Sequence, residues 1–142
     1  MYKEVKLLDQ TDAAYIAGLI DGEGTVTLSR RHRTENRQLV VSISNTDRPL
    51  LEYVLNSVGA GKITNKRTYQ SHHTASYTYT ISNRQALDLL NQTFPYLKTY
   101  KAKRSEIILR DYIRLTPRNG YYSPEIKQAR TDFEHEVMKI KC

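Results

Sequence analysis

The same plan appears twice in this chain: two short strand-like runs, then an amphipathic helix. The first pair of runs is Thr25 to Arg33 and Gln38 to Ser44; the second is Lys62 to Gln70 and Ser76 to Ser82. Each run alternates in polarity and is rich in β-branched or aromatic residues, as half-buried strands are. Thr25, Thr27, Ser29, Arg31 and Arg33 share one face of the first run, and Val26 and Leu28 the other. In the second run Leu39, Val41 and Ile43 share the apolar face, against Gln38, Val40, Ser42 and Ser44. Tyr77, Tyr79 and Ile81 alternate with Ser76, Thr78 and Thr80 in the same way. Hairpins with one apolar face need a cover, and the intervening helices supply it.

The first covering helix starts at Thr46 or Asp47 with Pro49 in its first turn, and carries Leu50, Leu51, Val54, Leu55 and Val58 at helical spacing. The second runs from Asn83 to about Thr93 and stops at Pro95. Another helix, about Asp12 to Ile20 with Thr11 as N-cap, precedes the first hairpin. Two more follow the second unit: about Ala102 to Leu115, and one capped by Ser123-Pro124-Glu125. The order α-β-β-α-β-β-α plus C-terminal helices predicts an α+β fold. A curved antiparallel sheet is covered by helices on one face, in a single domain over residues 1–142. The uncovered face holds the Thr, Ser, Arg and Lys set.

Charge narrows the partner. With 22 Lys+Arg against 15 Asp+Glu among 142 residues, the formal charge is +7, which favours an anionic partner without choosing DNA, RNA or a membrane surface. The longest apolar run, Ala13 to Ile20, is far short of the roughly 18 residues of a membrane span. The N-terminal stretch lacks the pattern of a secretory signal. One cysteine, Cys142, leaves no intramolecular disulfide and no cysteine-based zinc site. An intracellular protein is expected, with no membrane partner. His32, His72, His73 and His135 have no zinc-ligand spacing. The 11 tyrosines suit either a core in which Tyr replaces Phe or a half-wet binding face.

The segment Tyr15 to Gly24 is unlike an ordinary amphipathic helix. Gly18 inside it costs about 1 kcal/mol relative to alanine. Ala14, Gly18 and Asp21 form a small-residue stripe along which a second helix can approach closely. Asp21 and Glu23 lie at the helix end whose dipole disfavours acids. Spacing alone allows two readings: an acidic turn in which Asp21 caps locally, or acids whose cost a bound cation offsets.

The segment Ile16-Ala17-Gly18-Leu19-Ile20-Asp21-Gly22-Glu23-Gly24 resembles the LAGLIDADG motif of the homing endonucleases, with changes at three of nine positions. The two hairpin–helix units after it follow that family's order, so the resemblance covers about Asp12 to Leu115. It is nearest to the small single-motif members, which act as homodimers on double-stranded DNA and are often intron-encoded.

The resemblance implies that Glu23 binds a divalent metal with the carbonyl of Gly22. That metal is Mg²⁺, with Mn²⁺ or Ca²⁺ able to take the same site. It implies that Asp21 is structural at the helix end, and that Asn45 orients water. It makes Lys101 the lysine of the catalytic pocket, with Lys98 as competitor, and Arg48 a second basic group there. Ala14, Ala17, Gly18 and Asp21 are expected at the dimer interface. Glu23 departs from the usual Asp by one methylene, which displaces the metal unless the backbone adjusts.

Candidates for base contact on the open face are Thr27, Ser29, Arg31, Arg33, Gln38, Val40, Ser42, Lys62, Thr64, Lys66, Thr68, Thr78 and Thr80. Lys98, Lys103 and Arg104 are candidates for phosphate. The activity implied is hydrolysis of both strands of a long pseudo-palindromic site, leaving short 3′ overhangs, in a prokaryotic cytoplasm or an organelle matrix or stroma. The rival readings are a non-cleaving maturase or regulator on the same scaffold, and an RNA-binding sheet with Tyr platforms. The latter needs aromatics on the open face, whereas Tyr77 and Tyr79 share the side of Ile81.

Overall fold

The structure, a computed structural model, describes residues 3–65 and 74–142. Its first helix, α1 (Gln10–Glu23), opens at Asp9, whose carboxylate accepts the Asp12 N–H at 2.8 Å. Asp9 thus takes the capping role expected of Thr11, and the helix runs past Ile20 through the acidic turn. Ala13, Ile16, Ala17 and Ile20 face the core, while Ala14, Tyr15, Gly18 and Gly22 are exposed.

At Gly24 the chain leaves α1 directly into a strand. Gly24 is extended (φ −119°, ψ −177°), so its glycine is not there for a left-handed turn. Space decides instead. A Cβ would lie 2.5 Å from the Ser42 carbonyl oxygen and 2.9 Å from the Ile20 Cα, both backbone atoms.

The strands are β1 (Gly24–Ser29), β2 (Gln38–Asn45), β3 (Lys62–Asn65) and β4 (Tyr77–Ser82), in the order β1-β2-β4-β3 and antiparallel throughout. Helices α2 (Arg48–Val58) and α3 (Asn83–Thr93) pack with α1 on the sheet. Between these layers Ile16, Ile20, Val26, Leu28, Leu39, Val41, Ile43, Leu51, Val54, Tyr79, Ile81 and Leu89 are shut from solvent. Each such side chain contributes about 1.5–3 kcal/mol by burial. Tyr79 lies in this core, its hydroxyl donating to the Ala60 carbonyl at 2.6 Å, and Tyr77 is half-buried.

β1 stops at Ser29, because β2 begins with its partner Gln38 and nothing lies opposite the residues beyond. Arg31 and Arg33, expected at the end of that strand, are in the connecting loop. β1 is an edge strand, and edges need covering. Arg104 donates to the Val26 carbonyl at 2.9 Å and Arg37 to the Leu28 carbonyl at 3.3 Å. Helices α4 (Tyr100–Asp111) and α5 (Pro124–Lys139) flank this edge. α4 gives way to turns after Asp111, short of Leu115.

Gly24→Ala is expected to lose about 1–3 kcal/mol of unfolding free energy, the cost of overpacking against backbone. Denaturant unfolding measures it, and a change below about 0.5 kcal/mol, the ordinary surface value, would contradict the close passage.

Candidate active site and open sheet face

α1 and α4 meet end to end, and each supplies what the other's terminus lacks. The last carbonyls of a helix are unpaired and negative, and the first N–H groups unpaired and positive. Lys101, in the first turn of α4, donates from Nζ to the carbonyls of Ile20 (2.9 Å) and Asp21 (2.8 Å). In return the Asp21 carboxylate accepts the N–H of Lys98 (2.7 Å), the N–H of Thr99 (3.2 Å) and the Thr99 hydroxyl (2.6 Å). Thr99 caps α4, its oxygen accepting the Lys101 N–H at 3.3 Å.

Both titrations are shifted. Burial raises the Asp21 carboxyl, but the Thr99 hydroxyl, the two backbone N–H groups and the Lys101 charge outweigh it and hold it below its ordinary 3.8. Burial lowers the Lys101 ammonium, against the opposing pull of Asp21. Lys101 is 8% exposed, whereas Lys98 is exposed and turns only its backbone to Asp21.

Glu23, the last residue of α1, projects into solvent beside the end of β2. There Asn45 donates from Nδ2 to the Glu23 carboxylate. Its other amide atom, Oδ1, accepts the Asp47 N–H at 2.7 Å, which fixes the orientation of the amide. Asn45 pairs with Tyr77 across the sheet, and the Arg48 guanidinium lies 5.3 Å from the centre of that ring. The fold thus brings Glu23, Asn45, Arg48 and Lys101 to one end of the sheet from four places in the chain.

Oxygen donors of this kind fit a hard divalent cation such as Mg²⁺, which keeps several waters. The described residues contain no cluster of three or more His, Cys, Asp or Glu side chains able to hold a metal. A metal bound at Glu23 would need most of its ligands from outside that set.

The open face is a grid. Its rows are Thr25–Ser42–Thr80–Lys62, Thr27–Val40–Ser82, Ser44–Thr78–Thr64 and Ser29–Gln38. Thr25 and Ser42 share a hydrogen bond at 2.7 Å, and Ser44 and Thr78 one at 2.9 Å. Thr25, Ser44 and Ser82 complete rows that the expected set left open, and plain alternation with Thr27, Ser42 and Thr80 points to them. At the β1 edge Thr27 lies 3.6 Å from the Met138 sulfur, so α5 reaches this side. Lys66 and Thr68 lie outside the described residues, as do His72 and His73.

Two expected roles change. Arg104 is 8% exposed and committed to the Val26 carbonyl and to the Ile140 carbonyl at 2.8 Å, so it ties β1 to the C-terminus rather than facing a phosphate. Ala17 is wholly buried in the chain's own core and is absent from the exposed stripe of Ala14 and Gly18. Lys103 is exposed. Thr99 was not foreseen, and nothing local signals it, since its partner is 78 residues away.

Two hairpin–helix units behind a motif helix, with an acid at its C-terminal end, define the fold of the LAGLIDADG homing endonucleases. The chain belongs to the family described as LAGLIDADG-like domain, whose model matches residues 10–94. Among solved structures it is similar to the homing endonuclease I-CvuI, with a TM-score of 0.75 at 16% identity over 93% of this chain and 83% of that one. It is also similar to the archaeal intron-encoded homing endonuclease I-Vdi141I, with a TM-score of 0.71 at 20% identity over 93% and 85%. For the LAGLIDADG homing endonuclease I-GzeII the TM-score is 0.65 at 16% identity, over 92% of this chain but 44% of that one. Among curated proteins none matches.

Because the Asp21 carboxyl is held below its ordinary value, its contribution is present above that value and is lost as pH falls through the lowered one. Asp21→Asn is expected to cost about 1 kcal/mol at neutral pH, a modest figure because the group is partly solvated. The gap to the wild type should close in acid. Unfolding free energies measured across pH check this, and a gap independent of pH would contradict the clasp.

Proposed function

We propose that this chain is a site-specific DNA endonuclease that works as a homodimer and hydrolyses both strands of a long pseudo-palindromic duplex with a divalent metal, leaving short 3′ overhangs. The observation that carries the reading is the Glu23 carboxylate, solvent-facing and oriented by Asn45, at the inner end of a polar sheet face. The I-CvuI structures are complexes with DNA targets in the presence of Ca or Mg, and that of I-Vdi141I is a DNA complex.

Dimensions suit a duplex. A four-residue row across the strands spans roughly 14 Å, comparable with a major groove about 12 Å wide. From Gln38 to Ser44, β2 runs roughly 20 Å, the rise of about six base pairs. The hydroxyls and amides of Thr25, Thr27, Ser29, Gln38, Ser42, Thr64, Thr78 and Thr80 offer adaptable hydrogen bonds to base edges, and Val40 an apolar one. Lys62, Arg31, Arg33, Lys98 and Lys103 add charge for phosphate or guanine. Lys66 and Thr68 belong to the same candidate set.

Gly18 supports a second copy. A Cβ there would meet nothing within 4 Å, so no contact inside the chain calls for glycine at a position where it costs about 1 kcal/mol. A partner helix on the Ala14–Gly18 face gives the reason, since small residues let two backbones approach. A two-fold axis beside α1 then brings two Glu23 carboxylates together, one for each strand. The match of this chain to less than half of I-GzeII fits a unit that serves as one of two.

In the mechanism Glu23 and the Gly22 carbonyl would hold the metal, and the DNA phosphate would complete its shell. Bound there, Mg²⁺ supplies Lewis-acid stabilisation of charge on the attacking and leaving oxygens. Asn45 would fix the Glu23 carboxylate through its Nδ2 hydrogen bond. Lys101 has two protons engaged by the Ile20 and Asp21 carbonyls and one left to donate. Its lowered pKa eases release of that proton. Arg48, stacked on Tyr77, would offset phosphate charge. No helix among the described residues is long and apolar enough to cross a membrane. The setting proposed is a DNA-containing compartment: a prokaryotic cytoplasm or an organelle matrix or stroma.

Glu23→Gln is expected to abolish Mg²⁺-dependent cleavage of a site selected from a random duplex library while leaving DNA binding intact. Unchanged cleavage would sink the assignment. Binding without cleavage by the wild type at any Mg²⁺ concentration would assign the non-cleaving module. Gly18→Ala separates fold from assembly. It should raise protomer stability by about 1 kcal/mol and weaken dimerisation, read by sedimentation. A dimer of unchanged affinity would remove α1 from the interface.

A further inference from the structure

A hollow of about 990 Å³ lies at the end of the sheet opposite Glu23 and Asn45. β4 ends at Ser82, opposite Val40, while β2 continues to Gln38. The space beside that projecting end is closed by the β1–β2 loop, the start of α3 and the connection between α4 and α5. A smaller hollow of about 310 Å³ shares Glu35, Asn36 and Gln38 with it and adds Ser29, Arg30 and Arg31. Ser29 and Gln38, the outermost row of the grid, line the smaller hollow, and Gln38 lines the larger one as well.

Its charge is one-sided. Lys3, Arg37, Arg84, Arg118 and Arg130 line it against one carboxylate, Glu35. Arg130, 2% exposed, is spent on Glu134 at 3.0 Å. Arg37 and Arg84 donate to main-chain carbonyls, which leave their charge uncompensated. Lys3 and Arg118 are exposed, and their side chains make no hydrogen bond or ion pair with any described residue.

The walls are held in place. The Arg37 backbone is gripped on both sides: Glu134 accepts its N–H at 3.0 Å, and Arg130 donates to its carbonyl. Gln85 holds the Lys3 carbonyl at 2.7 Å, and Arg84 the Thr116 carbonyl at 3.1 Å. A wide, charged and fixed cleft is unlike the mostly apolar pockets that take small ligands.

We propose that this cleft seats the phosphodiester backbone of duplex DNA just outside the base pairs read by the sheet, with the Lys3 ammonium and the Arg118 guanidinium as its principal contacts. The inference rests on the DNA-binding reading above and adds to it a clamp on the flanking duplex. Phosphates there add affinity and fix the register of the sheet on the duplex, and they carry no sequence information.

The test uses the full chain, wild type and a Lys3→Gln/Arg118→Gln variant, with two duplexes carrying the site enriched by binding selection. One ends at the outermost enriched base pair, and the other extends by one helical turn, about 10 base pairs, at each end. Anisotropy titrations over a range of salt should show the wild type binding the longer duplex more tightly. On that duplex the variant should lose about tenfold in affinity, and its log–log salt slope should fall by about 0.9 per lost phosphate contact. On the short duplex the two proteins should agree. Equal losses on both duplexes, or none on either, would overturn the clamp and leave the DNA reading standing. Failure of the wild type to bind either duplex would overturn the DNA reading itself.

Discussion

The clasp between α1 and α4 is the interaction on which the rest of the site depends. Helix α1 ends in acids, against its own dipole, and its last carbonyls, of which Ile20's also accepts the Gly24 N–H, attract positive donors. Lys101 supplies them from a helix whose N-terminus needs acceptors, and Asp21 returns the favour through Lys98 and Thr99. With Asp21 and Lys101 engaged, Glu23 is the motif acid left facing solvent. The close passage at Gly24 then sets Glu23 against β2, where Asn45 turns its carboxylate.

The clasp also divides the labour of the two acids. Spacing left open whether Asp21 caps locally or the acids hold a cation; the Asp21 carboxylate instead reaches across to Lys98 and Thr99 at the start of α4. Glu23, one methylene longer than the usual Asp, accepts a hydrogen bond from Asn45. Charge is distributed unevenly as well. The described rows of the open face are chiefly hydroxyls, with Lys62 their one cation, while the arginines gather at the outer end of the sheet. A face of hydroxyls suits base edges, and cations at its rim suit phosphate.

The fold was legible because its periodicities are local. Alternation marked Leu39, Val41 and Ile43 as core, and helical spacing marked Leu51, Val54 and Val58; all are wholly buried. Strand ends were less legible. Thr25 to Ser29 alternates correctly, but the pattern continues through Arg33 past the point where β2 has residues to pair with. The core-facing side of α1 hid Ala17, because a small residue suits a tight core and a helix–helix contact equally well. Arg104 was misassigned for a related reason: a sequence shows a charge but not the two carbonyls that claim it. The clasp, with partners some 80 residues apart, could be read only from coordinates.

If one chain carries half of a cleavage site, the copy number of Glu23 must set the number of strands cut. Dimers containing one wild-type and one Glu23→Gln chain, isolated through two different affinity tags, put this to the test on a supercoiled plasmid bearing the selected site. Gel separation of nicked from linear product gives the answer. Accumulation of nicked circles, with little linear DNA, is the predicted result. Linear product at the wild-type rate would contradict the assignment of one Glu23 to each strand.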